Sequence, residues 1–295
     1  MRFRYFQSTF LRFFGYFLYA VLLTVALLYW IFPSEDLCNY LQAHAKRIDS
    51  RLVLNIDRIR PCLPFGFKSF GTKLFLKENP DTALFSSERI TIKPRIWPLL
   101  KGRFDFGFEC RACGGDIKGR VSFGEGGLDG PFEAVVKLKD FRIGDNKYLP
   151  VLLGHSVEGN LDGDIRYHTT SGSLTDGSGG AEFRLRDGGV RFSGPVLNFR
   201  SIEIKALETE MLIKDQKASV NRFALKSRKM NVTLQGSIYL EREFAKSRLN
   251  LKGECELFGP LLEKTEGVQA KKNLPFLVEG PISKPKLIFE SSQVE

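Results

Sequence analysis

Arg248-Leu249-Asn250-Leu251-Lys252-Gly253-Glu254-Cys255-Glu256-Leu257 alternates residue by residue: Leu249, Leu251, Cys255 and Leu257 point one way, Arg248, Asn250, Lys252, Glu254 and Glu256 the other. Successive side chains of a strand face opposite sides of a sheet, so a period of two produces one dry face and one wet face. The rhythm runs also through Met230, Val232, Leu234, Gly236, Ile238 and Leu240, and through Phe104, Phe106, Phe108 and Cys110. It returns at Ile117, Gly119, Val121 and Phe123, and at Leu161, Gly163, Ile165 and Tyr167. From residue 50 onward the chain therefore reads as antiparallel strands joined by turns that draw on its 28 Gly. Short helices are expected only near Trp97-Pro98-Leu99-Leu100 and Pro260-Leu261-Leu262.

Such a sheet has an apolar face and no helices to cover it. It must fold on itself as a sandwich, curl, or receive something apolar from outside. With 26 Phe in the chain, the dry face is large. A self-covered sheet is one reading and a groove holding lipid acyl chains is the other. Glycines inside strands mark bulges or bends, which predicts a curved sheet. A loose Gly-x-Leu/Ile rhythm at Gly114–Gly119, Gly126–Gly130, Gly159–Gly163 and Gln235–Ile238 reads as a hairpin-sized unit along an elongated sheet.

The first third of a hundred residues is different in kind. Phe13 to Phe32 is a run of twenty residues with no charge, Leu/Val/Ala-rich at its centre and aromatic at its ends (Phe13, Phe14, Tyr16, Tyr29, Trp30). A helix of that length spans ~30 Å, the thickness of a bilayer's hydrocarbon core. The aromatic ends match a membrane-interface belt. Arg2, Arg4 and Arg12 precede the run, and Glu35 and Asp36 follow it. The positive-inside rule leaves residues 1–12 in the cytoplasm and carries the remainder across. The run exceeds the apolar core of a signal peptide, and Phe32-Pro33-Ser34-Glu35 lacks a small-x-small cleavage site, so a retained anchor is expected.

Residues 33–50 form a linker with an amphipathic helix. Ser34 is an expected N-cap, Glu35 and Asp36 occupy the first turn, and Lys46 and Arg47 the last. Leu37, Tyr40, Leu41, His44, Ala45 and Ile48 make its stripe, which suits either a membrane surface or the end of the following sheet. Residues 51–295 then make the β-rich domain.

Net charge is +10; the first 32 residues hold three arginines and no acid, which leaves +7 for the remainder. The basic residues are spread along the chain rather than gathered in a run, which argues against nucleic acid as a partner. Five cysteines (Cys38, Cys62, Cys110, Cys113, Cys255) are not a disulfide framework. The lone Cys110-Arg111-Ala112-Cys113 ends a strand rather than starting a helix, and reads as a local disulfide or as two plain thiols. With His44, His155 and His168 in unrelated contexts, no zinc ligand set is expected. Asp162-Gly163-Asp164 and Asp176-Gly177 lack the twelve-residue spacing of a calcium loop and read as turns, as does Ser193-Gly194-Pro195. No catalytic, cofactor-binding or metal site is assigned to any residue, and no enzymatic activity is expected.

The layout resembles the type II secretion system protein N family of Gram-negative bacteria and the wider AsmA-like group of inner-membrane proteins. The segments that carry the likeness follow the apolar run. They are Leu52–Arg60, Leu63-Pro64-Phe65-Gly66, Ile92–Gly102, Leu152–Gly163, and finally Leu274–Leu287 with its apolar strand, Gly280 and Pro285. All are positions that specify a fold. The resemblance implies a single-pass inner-membrane protein whose bulk is periplasmic, with an elongated AsmA-like groove or sandwich. Its implied function is that of an accessory component of the type II secretion system, binding or scaffolding other secretion-system subunits through the β domain. The alternative it implies is an AsmA-like protein that binds or transfers phospholipid during envelope biogenesis.

Overall fold

The structure, a computed structural model, describes residues 2–63, 65–99, 102–127, 130–171, 176–196, 199–241, 246–258 and 273–289. Within these, the side chains of residues 2–13, 28, 48, 192–196 and 199 lie outside the description. The chain is mainly β: two N-terminal helices precede one long, open, fifteen-stranded antiparallel sheet.

Helix α1 (Arg2–Trp30) begins well before the expected Phe13 and stops before Phe32. Ile31 still donates its N–H to the Leu27 carbonyl at 2.8 Å, but Pro33, with no N–H and a ring that clashes with the preceding turn, prevents continuation. Among the described residues no helix is long and apolar enough to cross a membrane. Phe13 and Leu28, both inside the expected span, lie outside the described side chains. Those that are described from Phe14 to Trp30 are exposed apart from a half-buried Val25.

Helix α2 (Ser34–Ile48) forms where the 3.6-residue stripe predicts it. Its cap differs: Pro33 occupies the N-cap position and makes no side-chain cap, while its carbonyl accepts the Leu37 N–H at 3.1 Å. Ser34 is thus the first helical residue rather than the cap. Glu35 and Asp36 do sit in the first turn, Lys46 and Arg47 in the last, where the helix dipole favours them. The inward stripe is Leu37, Cys38, Leu41, His44 and Ala45; Tyr40 is exposed and stacks on His44. The helix packs on the first two strands, β1 (Leu52–Asn55) and β2 (Arg58–Pro61). Cys38 Sγ lies 3.5 Å from the Ile56 carbonyl between them.

The sheet continues through β3 (Phe67–Leu76), β4 (Asn79–Pro94), a four-residue helix α3 (Ile96–Leu99), β5 (Phe104–Ala112), β6 (Gly115–Phe123) and β7 (Phe132–Arg142). A short helix α4 (Leu149–Leu153) leads to β8 (Ser156–Thr169), β9 (Ser178–Val196), β10 (Phe199–Lys214) and β11 (Lys217–Ser227). The chain then runs through β12 (Met230–Tyr239), β13 (Arg248–Leu257), β14 (Asn273–Pro281) and β15 (Lys286–Phe289). From β3 to β15 every strand pairs with its neighbours in sequence, and β1 and β2 share the outer edge of β3. Alternation at residues 104–110, 117–123, 161–167, 230–240 and 249–257 corresponds to β5, β6, β8, β12 and β13. Pro260-Leu261-Leu262 lies outside the described residues.

Two turn expectations are overturned. Ser193-Gly194-Pro195 lies within β9, and Asp162-Gly163-Asp164 lies inside β8. Sheet neighbours override local turn chemistry at the second site: Asp162 Oδ2 accepts a hydrogen bond from Arg186 at 2.6 Å, and Asp164 pairs with Lys137 at 3.2 Å. The Gly-x-Leu/Ile rhythm is likewise no single unit. Gly114 is in the β5–β6 turn, while Gly159–Gly163 is all strand. The best-buried core lies towards the C-terminus, where Met230, Cys255, Leu257 and Phe276 pack together with Ile202, Val232 and Leu234 against them.

Candidate functional site

The register of the ladders turns the alternation of separate strands into continuous rows. One row runs Phe67, Ile92, Phe108, Gly119, Val136, Ile165, Ala181, Met211, Val220, Gly236, Leu251, Val278, Leu287, one residue from each strand from β3 to β15. The next row includes Ile90, Cys110, Ile117, Leu138, Gly163, Phe183 and, further on, Phe223, Leu234, Gly253, Phe276 and Phe289. A one-residue slip in any pairing would throw that strand's apolar set to the other side, so every ladder is in the register that keeps the face whole. The opposite face carries charge: Glu109 beside Lys118, Lys137 beside Asp164, and Glu208 beside Arg222. Each of these pairs is exposed and contributes little, on the order of 0–1 kcal/mol.

Among the described residues α4 and the turn before it (143–145) pack against β8, and no helix makes comparable contact with β6 or β7. In β6 and β7 every apolar side chain of the dry face (Ile117, Val121, Phe123, Phe132, Ala134, Val136, Leu138) is half-buried and none is fully buried. In β8, Val157, Leu161, Ile165 and Tyr167 are half-buried too. Sheet-on-sheet packing would have placed these side chains in a closed core ~10 Å thick.

Two features shape this surface. The first is a seat for flat aromatic rings. A Cβ on Gly119 would lie 2.3 Å from the Phe108 ring, one on Gly163 2.6 Å from the Phe183 ring, and one on Gly253 2.8 Å from the Phe276 ring. In each case the ring lies over the glycine directly opposite in the ladder. Glycines inside strands predict bulges or bends, and at these three the ladder runs on without a register shift. A bulge does occur where Gly159, with φ of 134°, faces Asp187 and Gly188 at the register shift between Glu158 and Asn160. The second feature is an aromatic file across four strands: Phe106, Phe123, Phe132 and Tyr167, with successive ring centroids 6.2, 6.1 and 6.0 Å apart. Burial raises the Tyr167 phenol above its ordinary pKa despite a hydrogen bond to Gly177 that acts the other way.

The remaining chemistry-bearing groups do not converge. All five cysteines are free thiols. Cys110 is buried on the dry face, and Cys113 occupies the β5–β6 turn with φ of 48°; burial raises both above the ordinary thiol pKa. His44 stacks on Tyr40, His168 stands on the wet face with Ser178 Oγ 3.1 Å from its Nε2, and His155 follows α4. Among the described residues no three His, Cys, Asp or Glu side chains gather into a metal-sized cluster. Asp105 is the most buried carboxylate, held by Arg120 at 3.1 Å and Arg95 at 3.6 Å. It ties β5 to β6 and to the residue that follows β4.

Sequence alternation identified which side chains share a face. The seating of rings on glycines was hidden, because it needs the cross-strand register. No protein-family model, curated protein or solved structure matches the chain.

Proposed function

We propose that the protein is a membrane-anchored lipid-handling protein whose sheet curves into an AsmA-like trough for acyl chains. The observation that carries this reading is the dry face itself: apolar rows that cross thirteen strands and stay half-exposed through β6, β7 and β8. Exposed contiguous apolar surface of this extent marks a binding surface in a protein that must remain dispersed in water. Acyl chains match it chemically, being long, apolar and indifferent to exact side-chain placement. In this reading α1 is the single-pass anchor in a bacterial inner membrane. The chain before it is cytoplasmic, and α2 and the sheet are periplasmic, as the three early arginines and the following acids favour. The polar face keeps the outside of the trough in water.

A second reading has its own support. Among the described residues β15 is the last strand of the sheet and pairs on one side only, with Phe276 to Glu279 of β14, so its other side is an edge. Such an edge suits strand addition by another protein. That is the arrangement expected of an accessory subunit of the type II secretion system that scaffolds its neighbours.

Photocrosslinking in living cells separates the two. A photoreactive phenylalanine analogue at Phe123 or Ile165 samples the dry face, and at Lys118 or Lys137 the wet one. The trough reading requires phospholipid adducts from the first pair and none from the second. Protein adducts from residues 286–289 together with no lipid at Phe123 or Ile165 would replace it with the scaffold reading.

A further inference from the structure

Following the strand directions, the β2–β3 loop (Cys62–Gly66), the β4–β5 connection with α3, and the β6–β7 and β8–β9 loops all emerge at one end of the sheet. At that end Leu63, Phe65, Ile96, Trp97, Leu99 and Phe104 are exposed, Trp97 at 80%. They are large apolar side chains on adjoining connections at one end of the sheet. The position a Gly66 Cβ would take is 3.2 Å from the Lys93 Cα, which brings the β2–β3 loop against the end of β4. The two segments concerned, 58–68 and 93–104, contain seven Lys/Arg and no Asp or Glu. Six of them (Arg58, Arg60, Lys68, Lys93, Arg95 and Arg103) are among the described residues and sit on strand ends and connections beside the apolar tip, with the acids Glu125 and Asp176 further along the same end on the β6–β7 and β8–β9 loops. Phe104 continues directly into Phe106 and the aromatic file of the dry face.

Helix α2 runs antiparallel to the edge strands. Cys38 is level with Ile56, and the helix ends at the turn in which Leu52 donates its N–H to the Asp49 carbonyl. Ser34 therefore lies ~6 Å further towards the β2–β3 loop, at 1.5 Å per residue. The junction with α1 is on the same side of the sheet as the apolar tip.

We propose that this end of the sheet is a membrane-docking rim: Leu63, Phe65, Ile96, Trp97 and Leu99 enter the interface of the anionic bilayer to which α1 leads. The neighbouring lysines and arginines hold it there by attraction to acidic headgroups. Tryptophan prefers that interface, and an apolar tip flanked by basic residues has both terms needed for surface binding. Docked this way, the aromatic file opens onto the bilayer. The rim stands on its own exposed residues, and it would dock whether or not the dry face carries lipid.

The chain contains two tryptophans, Trp30 and Trp97. Full-length Trp30→Phe leaves Trp97 as the sole emitter. It is reconstituted into vesicles of brominated phosphatidylcholine and phosphatidylglycerol in equal parts, because bromine quenches indole only at contact. The expected result is strong quenching and a blue shift of Trp97 emission. A companion chain carries Trp30→Phe, Trp97→Phe and Val151→Trp. Val151 is exposed on α4 at the opposite end of the sheet, so its indole is expected to stay unquenched. An unquenched Trp97, or equal quenching at both ends, overturns the rim. Lipid adducts at Phe123 with an unquenched Trp97 would sink the rim and leave the trough; quenched Trp97 without adducts would do the reverse.

Discussion

Replacing Gly119 with alanine tests whether the phenylalanine floor rests on glycine. The new Cβ would stand 2.3 and 2.4 Å from two atoms of the Phe108 ring and 2.8 Å from the Val135 carbonyl oxygen. Carbon contacts settle near 3.5–4.0 Å, so the ring must retreat by roughly 1 Å or more. The carbonyl belongs to a paired strand and has no rotamer to change. Overpacking of this kind costs ~1–3 kcal/mol, against ~0.4–1 kcal/mol gained by restricting the unfolded chain. The net expectation is a loss of about 1–2 kcal/mol. Gly107, on the neighbouring β5 position of the opposite face, is the internal control. Its Cβ would meet nothing closer than 3.9 Å, so Gly107→Ala is expected to stabilise by ~0.4–1 kcal/mol. Urea midpoints of the full chain in detergent micelles, compared at equal m-values, give both numbers. Phe108→Leu made together with Gly119→Ala relieves the clash, and the pair should couple by more than ~0.5 kcal/mol. Equal effects at Gly107 and Gly119, or no coupling with Phe108, would refute the seating argument.

Four further outcomes are expected. Phe276→Ala empties the centre of the Met230–Cys255–Leu257 cluster and should cost ~3–5 kcal/mol, measured by the same urea melts. Burial raises the Cys255 thiol pKa, so at neutral pH it should resist iodoacetamide in the folded protein and react at once in urea. Because the folded state holds that proton more tightly, its contribution to stability is complete below the ordinary thiol pKa. It is lost as pH rises through the raised value, which a pH series of midpoints will show. Leu23→Arg puts a charge in the middle of the apolar run and should impair insertion by about 2.5–3.5 kcal/mol; full recovery in the membrane fraction would count against the anchor.

Period-two alternation made β5, β6, β8, β12 and β13 legible because apolar and polar residues alternate along each, even where burial departs from it, as at the exposed Phe104 and the buried Asp105. The long pair β9 and β10 is less readable: Gly179, Gly180, Gly188 and Gly189 punctuate one, and Leu212 breaks the pattern of the other by facing solvent. Helix α4 was missed because Leu149–Leu153 is too short for a period to show. Alternation also says which residues share a face and nothing about how wide that face is. Only the ladders reveal that Phe67 and Leu287 end the same row. The rim was hidden for a related reason. Leu63 and Trp97 are far apart in the chain, and each alone is an ordinary exposed residue, one in a loop and one in the short helix α3.

The sequential pairing of β3 through β15 bears on how the chain is made. Each strand finds its partner as soon as the following hairpin closes, without waiting for a distant segment to arrive. A polypeptide made from its amino end can thus lengthen its sheet hairpin by hairpin, the last edge serving as template for the next strand. Stability would then accumulate along the ribbon in nearest-neighbour increments, as in stacked repeat proteins.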